Sequence, residues 1–536
     1  MKKLSLLLLA MVASFALQAQ WTDNPATNTF IADASPVDSV IVGEIHVLTD
    51  AETGDSYVQW TSGGMYATNG HAPALQRITP DGTPQWGENG LRFNQFNFLS
   101  WSAGDVFTIT PDHDVISCFS TADTVTIALR LHPDGTYPWG EQGVLLFDGI
   151  CGSRAEILAG NDGGAWALGT DLYNLYLQYI EADGSLNPII TIEKYNDTIR
   201  STYGKLVLAN DNSVFLTYEQ VYVYPGESSL SGIVDIHLTG YTKDGTQTVP
   251  DTKLLGKVNN IVTYTHEVVP DGLGGAYIYI EVGDSELHEL NNIHVLHYDA
   301  DGNNTISDTL GVTVHTPEQD HVYVDAYASV DPVSHDLLIS YIQANRSQHE
   351  PKVFVNRITA TGERVWDEGV LVFDNQGNPL DIPMISAFED GSGFAVTYGL
   401  GVSWTQGDPR CHIEAKGYDM NCNELWETEL SSSFIMREFA ETISGFHHGQ
   451  NIIAWANDDN GDIYAQNFGV DGSMGQGLDV EEIFEDEEII TIVKIYNVNG
   501  QVMQCTNLNE LNTGVYIIQG TTESGKMVNK KVVVAE

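Results

Sequence analysis

An Asp-Gly turn between two apolar runs recurs along the whole chain. It occurs in ITPDGTPQWGENGLRF at 78–93, in LHPDGTYPWGEQGVLLF at 131–147 and, with Thr for Asp, in ITATGERVWDEGVLVF at 358–373. Asp-Gly between alternating apolar runs is a strong hairpin signal, because glycine adopts positive φ without steric cost. A catalytic site rarely recurs within one chain, whereas a structural unit does. The repetition therefore predicts a repeat fold.

Eight such turns divide the chain into units of roughly 50 to 60 residues, the spacing expected of a repeat array. The turns lie at 80–82, 133–135, 182–184, 243–245, 300–302, 360–362, 420–422 and 470–472. A second hairpin precedes each turn, so each unit supplies four antiparallel strands. Units of this kind bury their faces by stacking around an axis. We therefore predict an all-β fold, an eight-bladed or alternatively a seven-bladed β-propeller, over residues 20–477.

The last unit, IYAQNFGVDGSMGQG at 463–477, lacks the outer strand of the others. The segment QWTDNPATNTFIAD at 20–33 echoes the QWGENGLRF that ends the first unit. Residues 20–32 are therefore predicted to supply the missing outer strand. Closing the ring in this way joins the first and last units and removes open sheet edges.

Four tryptophans follow the turn glycine, or its replacement, by four residues: Trp86, Trp139, Trp366 and Trp426. This spacing predicts that they begin the outer strand and pack between adjacent blades, where a large apolar side chain is useful. A sugar-stacking platform is the alternative interpretation. In the seventh unit Cys422 replaces the turn glycine. A side chain at positive φ is costly, so a different turn geometry is expected there.

The N-terminus has the three parts of a secretory signal. Lys2 and Lys3 precede an apolar run from Leu4 to Leu17, which is too short for a membrane span. Cleavage after Ala19 would remove a signal peptide of residues 1–19. No later stretch of the sequence reaches the length of a transmembrane helix.

The chain is strongly acidic, with 23 Lys and Arg against 73 Asp and Glu and a net charge of −50. Such a surface repels phosphate backbones and anionic lipid, so nucleic acid is not an expected partner.

The five cysteines are too few for a disulfide scaffold and match no zinc spacing, which favours buried apolar roles for most of them. They are Cys118, Cys151, Cys411, Cys422 and Cys505.

The composition changes after residue 477. Residues 478–490, LDVEEIFEDEEII, are predicted to form an acidic linker. The segments TIVKIYNVNGQVMQ, LNTGVYII and KKVVV then predict three or four short strands, a small β-sandwich-like module over residues 491–536.

This tail resembles the type A C-terminal sorting domain of type IX (Por) secretion cargo, found in Bacteroidetes. The matching residues are Gly500, Gly514, Tyr516, Lys530 and Lys531. The Tyr-Pro-Asn-Pro stretch that usually opens the family's domain is replaced here by EEIFEDEEIIT. An Ig-like accessory domain without a sorting role is the alternative.

The resemblance implies a route and a location. It implies Sec export, passage through the outer membrane by the type IX machinery, and removal of the tail on the way. The mature protein would then be secreted or attached to the outer cell surface.

Known catalytic patterns are missing from the sequence: it has no Gly-x-Ser-x-Gly, phosphate loop, dinucleotide fingerprint or His-Glu-x-x-His. We therefore nominate no catalytic, cofactor-binding or metal-binding residue. The Asn- and Asp-rich segments 298–303 and 457–462 could bind calcium, but they lack EF-hand spacing and are better explained as hairpin turns.

Three classes of function remain. The missing motifs favour a propeller that binds an extracellular glycan or protein. The alternative is a secreted hydrolase, carbohydrate-active or a peptidase, with acidic residues in the funnel of the propeller. A structural or adhesion role is a third hypothesis.

Overall fold

A computed structural model defines the fold of the residues from Trp21 to Val534, with gaps. It describes residues 21–33, 42–62, 72–93, 96, 106–121, 125–148, 150, 154–171, 174–192, 199–222, 234–255, 261–284, 289–308, 310–316, 318, 320–345, 350–374, 383–401, 410–436, 442–457, 461–475, 491–497, 514–521 and 527–534. The chain divides into two compact units at Gly477 and Leu478. Within the described ranges every regular element is a β-strand, as the alternating pattern predicted.

The first unit contains eight four-stranded antiparallel sheets, which are the predicted blades. Blade 1 is formed by β2 (Val42–Thr49), β3 (Ser56–Ser62), β4 (Ala72–Ile78) and β5 (Leu91–Arg92). Blade 2 is formed by β6 (Val106–Ile109), β7 (Val115–Ser120), β8 (Thr126–Leu131) and β9 (Val144–Leu146). Blade 3 is formed by β10 (Arg154–Ala159), β11 (Ala165–Thr170), β12 (Leu175–Ile180) and β13 (Ile190–Thr191). Blade 4 is formed by β14 (Ile199–Leu208), β15 (Val214–Tyr222), β16 (Val234–Tyr241) and β17 (Gln247–Leu255).

The second half of the ring repeats the same arrangement. Blade 5 is formed by β18 (Ile261–Pro270), β19 (Ala276–Asp284), β20 (Glu289–Tyr298) and β21 (Val312–Thr313). Blade 6 is formed by β22 (His321–Val330), β23 (Leu337–Asn345), β24 (Lys352–Ile358) and β25 (Val370–Asp374). Blade 7 is formed by β26 (Met384–Ala387), β27 (Gly393–Gly401), β28 (Arg410–Asp419) and β29 (Glu424–Met436). Blade 8 is formed by β30 (Thr442–His447), β31 (Gln450–Asn457), β32 (Asp462–Gly469) and, as its outer strand, β1 (Thr29–Asp33).

The first strand of each blade contacts the first strand of the next, and β30 returns to β2, so the eight first strands surround a central channel. The ring closes as predicted, because β1 pairs with β32 as the fourth strand of blade 8. Eight blades are therefore correct and seven are not. Since strands alternate in direction, the turns between strands one and two and between strands three and four lie at the same end. We call this end the turn end.

The tryptophans pack between blades, as predicted. Trp86 donates its indole N–H to the Pro133 carbonyl of the next blade at 3.3 Å, and Trp139 donates to the Ala182 carbonyl at 3.1 Å. Trp426 makes the same contact with the Val470 carbonyl at 2.7 Å. The expected position in the outer strand was wrong for three of the four. Only Trp426 lies within an outer strand, whereas the other three lie in the segment before it.

Trp21 makes this contact across the seam that closes the ring. It is 3% exposed and donates its indole N–H to the Pro80 carbonyl of blade 1 at 2.8 Å. Gly82 of the same turn has a φ of +89° and lies against Trp21. A Cβ added there would come within 2.6 Å of the Trp21 backbone nitrogen. Gly82 is therefore needed both for the positive φ of the turn and for the close packing of Trp21 against it.

The expectation of a different geometry at Cys422 was wrong. Its φ is +58°, and its N–H donates to the Asp419 carbonyl at 2.8 Å, as the Gly82 N–H donates to the Thr79 carbonyl at 2.8 Å. The left-handed conformation costs a non-glycine residue about 1–2 kcal/mol. The Asp419 carboxylate accepts two backbone N–H groups within the turn at 2.9 Å, and these bonds offset that cost.

Two cysteines lie in the core, as expected of small apolar side chains. Cys118 and Cys411 are buried, whereas Cys422 is half-buried and packs against the core cluster of blades 6 and 7. Cys151 and Cys505 lie outside the described residues.

The second unit contains one three-stranded antiparallel sheet. Its strands are β33 (Thr491–Asn497), β34 (Gly514–Thr521) and β35 (Met527–Val534), in that order. These strands lie where the sequence predicted them. The β-sandwich-like arrangement remains a prediction, because the described strands form a single sheet.

The Trp21 contact can be tested with two glycines of the same turn region. Gly82→Ala and Gly87→Ala both place a side chain at positive φ, but nothing lies within 4 Å of an added Cβ at Gly87. We expect Gly87→Ala to cost about 1 kcal/mol through backbone strain alone. Gly82→Ala should cost at least about 1 kcal/mol more, because the methyl group displaces Trp21. Urea unfolding measures both, and equal losses would contradict the role of Trp21.

Candidate active site

Five of the eight first strands place a polar side chain at one level of the central channel. In each of these blades, the backbone N–H that closes the first turn belongs to the residue four positions after the polar one. Because the first turns are aligned around the ring, the five polar residues lie at a common height along the channel. We call this set the channel ring, which consists of His46, Glu156, Lys205, Glu267 and Tyr327.

β-Bulges interrupt the first strands next to the channel ring. Register shifts occur between Gly43 and His46, Thr202 and Gly204, Thr263 and Thr265, Val324 and Tyr327, and Ile443 and Phe446. In blades 1 and 6 the register shift ends at the ring residue itself. In blade 4 it ends one residue before the ring residue, and in blade 5 two residues before it. Bulges bend a strand and redirect its side chains, and they are frequent beside active sites.

Lys205 joins three neighbouring blades. Its Nζ lies 3.4 Å from Glu156 Oε1 in blade 3 and 3.2 Å from Glu267 Oε1 in blade 5. The Lys205, Glu156 and Glu267 side chains remain 34%, 31% and 42% exposed. The cluster is therefore surrounded by protein but open to molecules that enter the channel.

This environment changes the ionisation of the channel ring. Burial opposes the charge on Lys205, but the carboxylates of Glu156 and Glu267 outweigh it and raise its pKa. Burial raises the pKa of Glu156, although Lys205 acts in the opposite direction. Burial, together with the charge of Lys205, lowers the pKa of His46 to about 4. The imidazole of His46 is therefore neutral at physiological pH.

Glu281 adds a carboxyl group with an unusual pKa. Burial and the charge of Asp325 raise its pKa from the ordinary value of 4.5 to about 7. Its Oε1 accepts the backbone N–H of Ala326 at 3.4 Å, beside the bulge of blade 6. Asp325, in that bulge, is exposed and has a φ of +53°. Glu281 is thus a carboxyl group that can hold or release a proton near neutral pH.

Glu267 and Glu281 lie on adjacent strands of blade 5. Glu281 pairs in register with Thr265, and Glu267 pairs with Tyr279, so the two glutamates are diagonal neighbours. The Cα atoms of diagonal neighbours in an antiparallel pair are about 7–8 Å apart. One of the two is ion-paired with Lys205 and the other is half-protonated near pH 7. Perturbed acids of this kind in a cleft are typical of functional sites.

The channel ring was not predicted from the sequence. A signal was nevertheless present: the repeats, once aligned on their first turns, place Glu156, Lys205 and Glu267 at one position of strands that are otherwise mostly apolar. Glu281 carries no comparable signal, because its importance depends on its neighbours in space.

The nominated sorting residues lie in the second unit. Gly514 begins β34, and Tyr516 pairs with Asn497 of β33 and Val532 of β35. Lys530 and Lys531 lie in β35 opposite Ile518 and Ile517. Gly500 lies outside the described residues.

The segment 298–303 forms a turn, as the sequence predicted. Asp299 Oδ1 accepts the backbone N–H groups of Asp301 and Asn303 at 3.0 and 2.8 Å. In the segment 457–462, residues 458–460 lie outside the described residues. Among the residues that the structure does describe, no group of three or more His, Cys, Asp or Glu side chains is arranged to hold a metal ion.

Comparison with known proteins yields distant likenesses in structure. No family model and no curated protein sequence matches the chain. A puromycin hydrolase mutant complexed with PGG shares 12% identity, with a TM-score of 0.40, over 92% of this chain and 61% of its own. A PL25 ulvan lyase shares 9% identity, with a TM-score of 0.41, over 85% of this chain and 97% of its own.

A third likeness is prolyl oligopeptidase B from Galerina marginata, at 11% identity and a TM-score of 0.41, over 80% of this chain and 56% of its own. The chain thus spans less than two thirds of the length of the puromycin hydrolase and of the prolyl oligopeptidase. None of these likenesses assigns an activity to this chain. In the described part of the chain, no helix is long and apolar enough to span a membrane.

The raised pKa of Glu281 predicts that the difference in unfolding free energy between wild type and Glu281→Gln depends on pH. Because the folded state raises this pKa from 4.5 to about 7, it binds more protons than the unfolded state between those values. The contribution of Glu281 to the unfolding free energy therefore falls as pH rises through this window. We expect Glu281→Gln to gain stability relative to the wild type between about pH 5 and about pH 8.

Urea unfolding at a series of pH values measures this difference. The exposed Glu363, in a turn of blade 6, provides Glu363→Gln as a control for the loss of one carboxyl group. A difference between Glu281→Gln and wild type that is the same at both ends of the pH range would contradict the raised pKa.

Proposed function

We propose that the protein is an exported carbohydrate-active hydrolase with its active site at the channel ring. The proposal is carried by the pairing of Glu267, ion-paired with Lys205, with Glu281, whose pKa is raised to about 7. Glycosidases commonly use one carboxylic acid and one carboxylate on either side of the scissile bond. Their carboxyl groups are about 5 to 9.5 Å apart, and side chains of diagonal neighbours in a sheet, whose Cα atoms are about 7–8 Å apart, can reach such a separation.

The roles follow from the two environments. Glu281 acts as the general acid, because its pKa of about 7 lets it carry a proton to the leaving oxygen near neutral pH. Glu267 acts as nucleophile or general base, and Lys205 keeps its charge compensated until the substrate binds. His46 is neutral, with a pKa of about 4, and can donate or accept a hydrogen bond to a sugar hydroxyl.

The sequence alone favoured a binding module, because catalytic motifs are missing. Glycosidases need no contiguous motif, since their two carboxyl groups are brought together by the fold. The pairing of Glu267 in the channel ring with the neighbouring Glu281 therefore favours the hydrolase over the binding module.

Activity measurements decide between these functions. The exported protein is incubated with a panel of polysaccharides and peptides, and new reducing ends and new amino termini are measured. We expect new reducing ends with wild type, and a loss of about 10²–10⁴-fold in rate with Glu281→Gln and with Glu267→Gln. Glu363→Gln is the matched control and should retain the wild-type rate.

Each other outcome has a distinct meaning. Glycan binding without turnover would support the binding module instead. Release of amino termini would support a peptidase. Hydrolysis that persists in both glutamate variants would place the active site elsewhere.

Residues 491–536 are proposed to direct export through the type IX machinery to the medium or the cell surface. The proposal is supported by the secretory pattern of residues 1–19 and by the residues shared with the sorting family. Gly514 and Tyr516 lie on β34 and the Lys530–Lys531 pair lies on the adjacent strand β35, so these four of the five matching residues belong to one sheet.

Truncation tests the sorting role. A chain that ends at Gln476 retains all the described residues of the propeller and lacks the tail. In a host with type IX secretion, we expect full-length protein in the medium or at the surface and the truncated protein inside the cell. Cell fractionation with mass spectrometry of both termini measures this. Equal export of the two chains would contradict the sorting role.

A further inference from the structure

A buried histidine connects blades 4 and 5 directly behind the proposed active site. His266 of β18 contacts two residues of β15: its Nε2 lies 3.0 Å from Thr217 Oγ1 and its Nδ1 lies 3.3 Å from Glu219 Oε1. Thr217, His266 and Glu219 are 1%, 2% and 6% exposed. In the Nδ1–H tautomer, the imidazole donates to Glu219 and accepts from the hydroxyl of Thr217.

The trio has the order of a hydroxyl nucleophile, a histidine base and an orienting acid. Its burial excludes that use, because a Thr217 hydroxyl that is 1% exposed cannot reach a substrate. The hydrogen bonds must therefore act on the surrounding strands.

The trio is connected to both members of the central ion pair. Thr217 pairs in register with Lys205 on β14, and His266 is the residue before Glu267 on β18. The β14 and β18 strands contact each other at the channel. The hydrogen bonds of His266 therefore tie the strand that carries Glu267 to the blade that carries Lys205.

We propose that His266 is a positioning residue that holds Glu267 within ion-pair distance of Lys205. The catalytic importance of that ion pair rests on the proposed function, but the positioning itself does not. Two features require such a restraint. Lys205 and Glu267 belong to different blades, and both of their strands are interrupted by bulges just before the ion pair. A hydrogen bond to each side of the imidazole fixes the relative height of the two strands.

The charges around Lys205 come from three other blades. Glu156 of β10 and Glu267 of β18 face it with negative charge, and His46 of β2 lies near enough to sense its positive charge. Displacement of Glu267 would leave Glu156 as the remaining ion-pair partner of Lys205 among these residues. The lysine would then lose its proton more easily, and a larger fraction of it would be the free amine that reacts.

Acetylation of lysines tests the proposal on the full-length protein. The protein is treated with a low concentration of acetic anhydride at about pH 9, and the rate at Lys205 is measured by mass spectrometry relative to Lys243. Lys243 lies in a turn of blade 4, is 41% exposed and forms ion pairs with Asp162 and Glu181. An opposite charge within a few ångströms shifts a pKa by at least about one unit, so its loss should raise the Lys205 rate about tenfold. We expect this increase in His266→Leu and a smaller one in Thr217→Val, a milder change.

Two further variants separate positioning from general stability. His266→Gln can keep one donor and one acceptor and should restore a rate near that of wild type. His297 of blade 5 is also buried and also bonds two side chains, Thr305 at 2.7 Å and Asp271 at 3.1 Å. His297→Leu is the matched control, and it should lose stability in urea without changing the Lys205 rate. An unchanged rate in His266→Leu, or an equal increase in His297→Leu, would overturn the proposal.

This test is independent of the proposed function. If wild type hydrolyses no glycan, the acetylation rates still decide whether His266 positions the ion pair. If glycan hydrolysis depends on Glu267 while the Lys205 rate is the same in wild type and His266→Leu, the hydrolase stands and the positioning role fails.

Discussion

The propeller depends on one repeated interaction, in which a side chain of one blade donates a hydrogen bond to the turn carbonyl of the next. Tryptophan provides the donor at four seams, where Trp21, Trp86, Trp139 and Trp426 contact the turns of blades 1, 2, 3 and 8. Asn187 and Thr305 provide it at the turns of blades 4 and 6. A single blade cannot bury both of its faces, so these seams decide whether the units form one ring. The donor side chain changes along the chain, but the acceptor remains the backbone carbonyl of the first residue of the turn.

Closure of this ring creates the candidate site. Glu156, Lys205 and Glu267 belong to three blades, and each occupies the same position of its first strand. They meet because the first strands converge on the axis. An ion cluster in such a place loses much of its hydration, which is costly unless the charges compensate each other. Lys205 compensates two carboxylates, whereas Glu281 is left with a pKa of about 7. The site thus combines a compensated carboxylate with a carboxylic acid, and both depend on the seams between blades.

Much of the fold could be predicted, because it is encoded by local patterns. The Asp-Gly turns, the two hairpins of each unit and the complementary segment at the N-terminus all have short-range signals, and the structure confirms each of them. The errors were also local. The hydrogen bonds of Asp419 hold Cys422 in the geometry expected of glycine, which a rule about side chains at positive φ did not anticipate. Three of the four repeat tryptophans lie in the segment before the outer strand, whereas Trp426 reaches the next turn from within its strand.

The sequence by itself determined the all-β class, the repeat architecture and the strand that closes the ring, since each follows from turn residues and alternation within a few residues. The tertiary structure decided for eight blades over seven. It also decided which of 73 acidic residues meet at the axis and which of them have a raised pKa. The physical reason is that a pKa depends on hydration and on the distance to other charges. For Glu281 burial is the larger cause, and the charge of Asp325, in a bulge of the neighbouring blade, adds to it; no short stretch of sequence contains that relation.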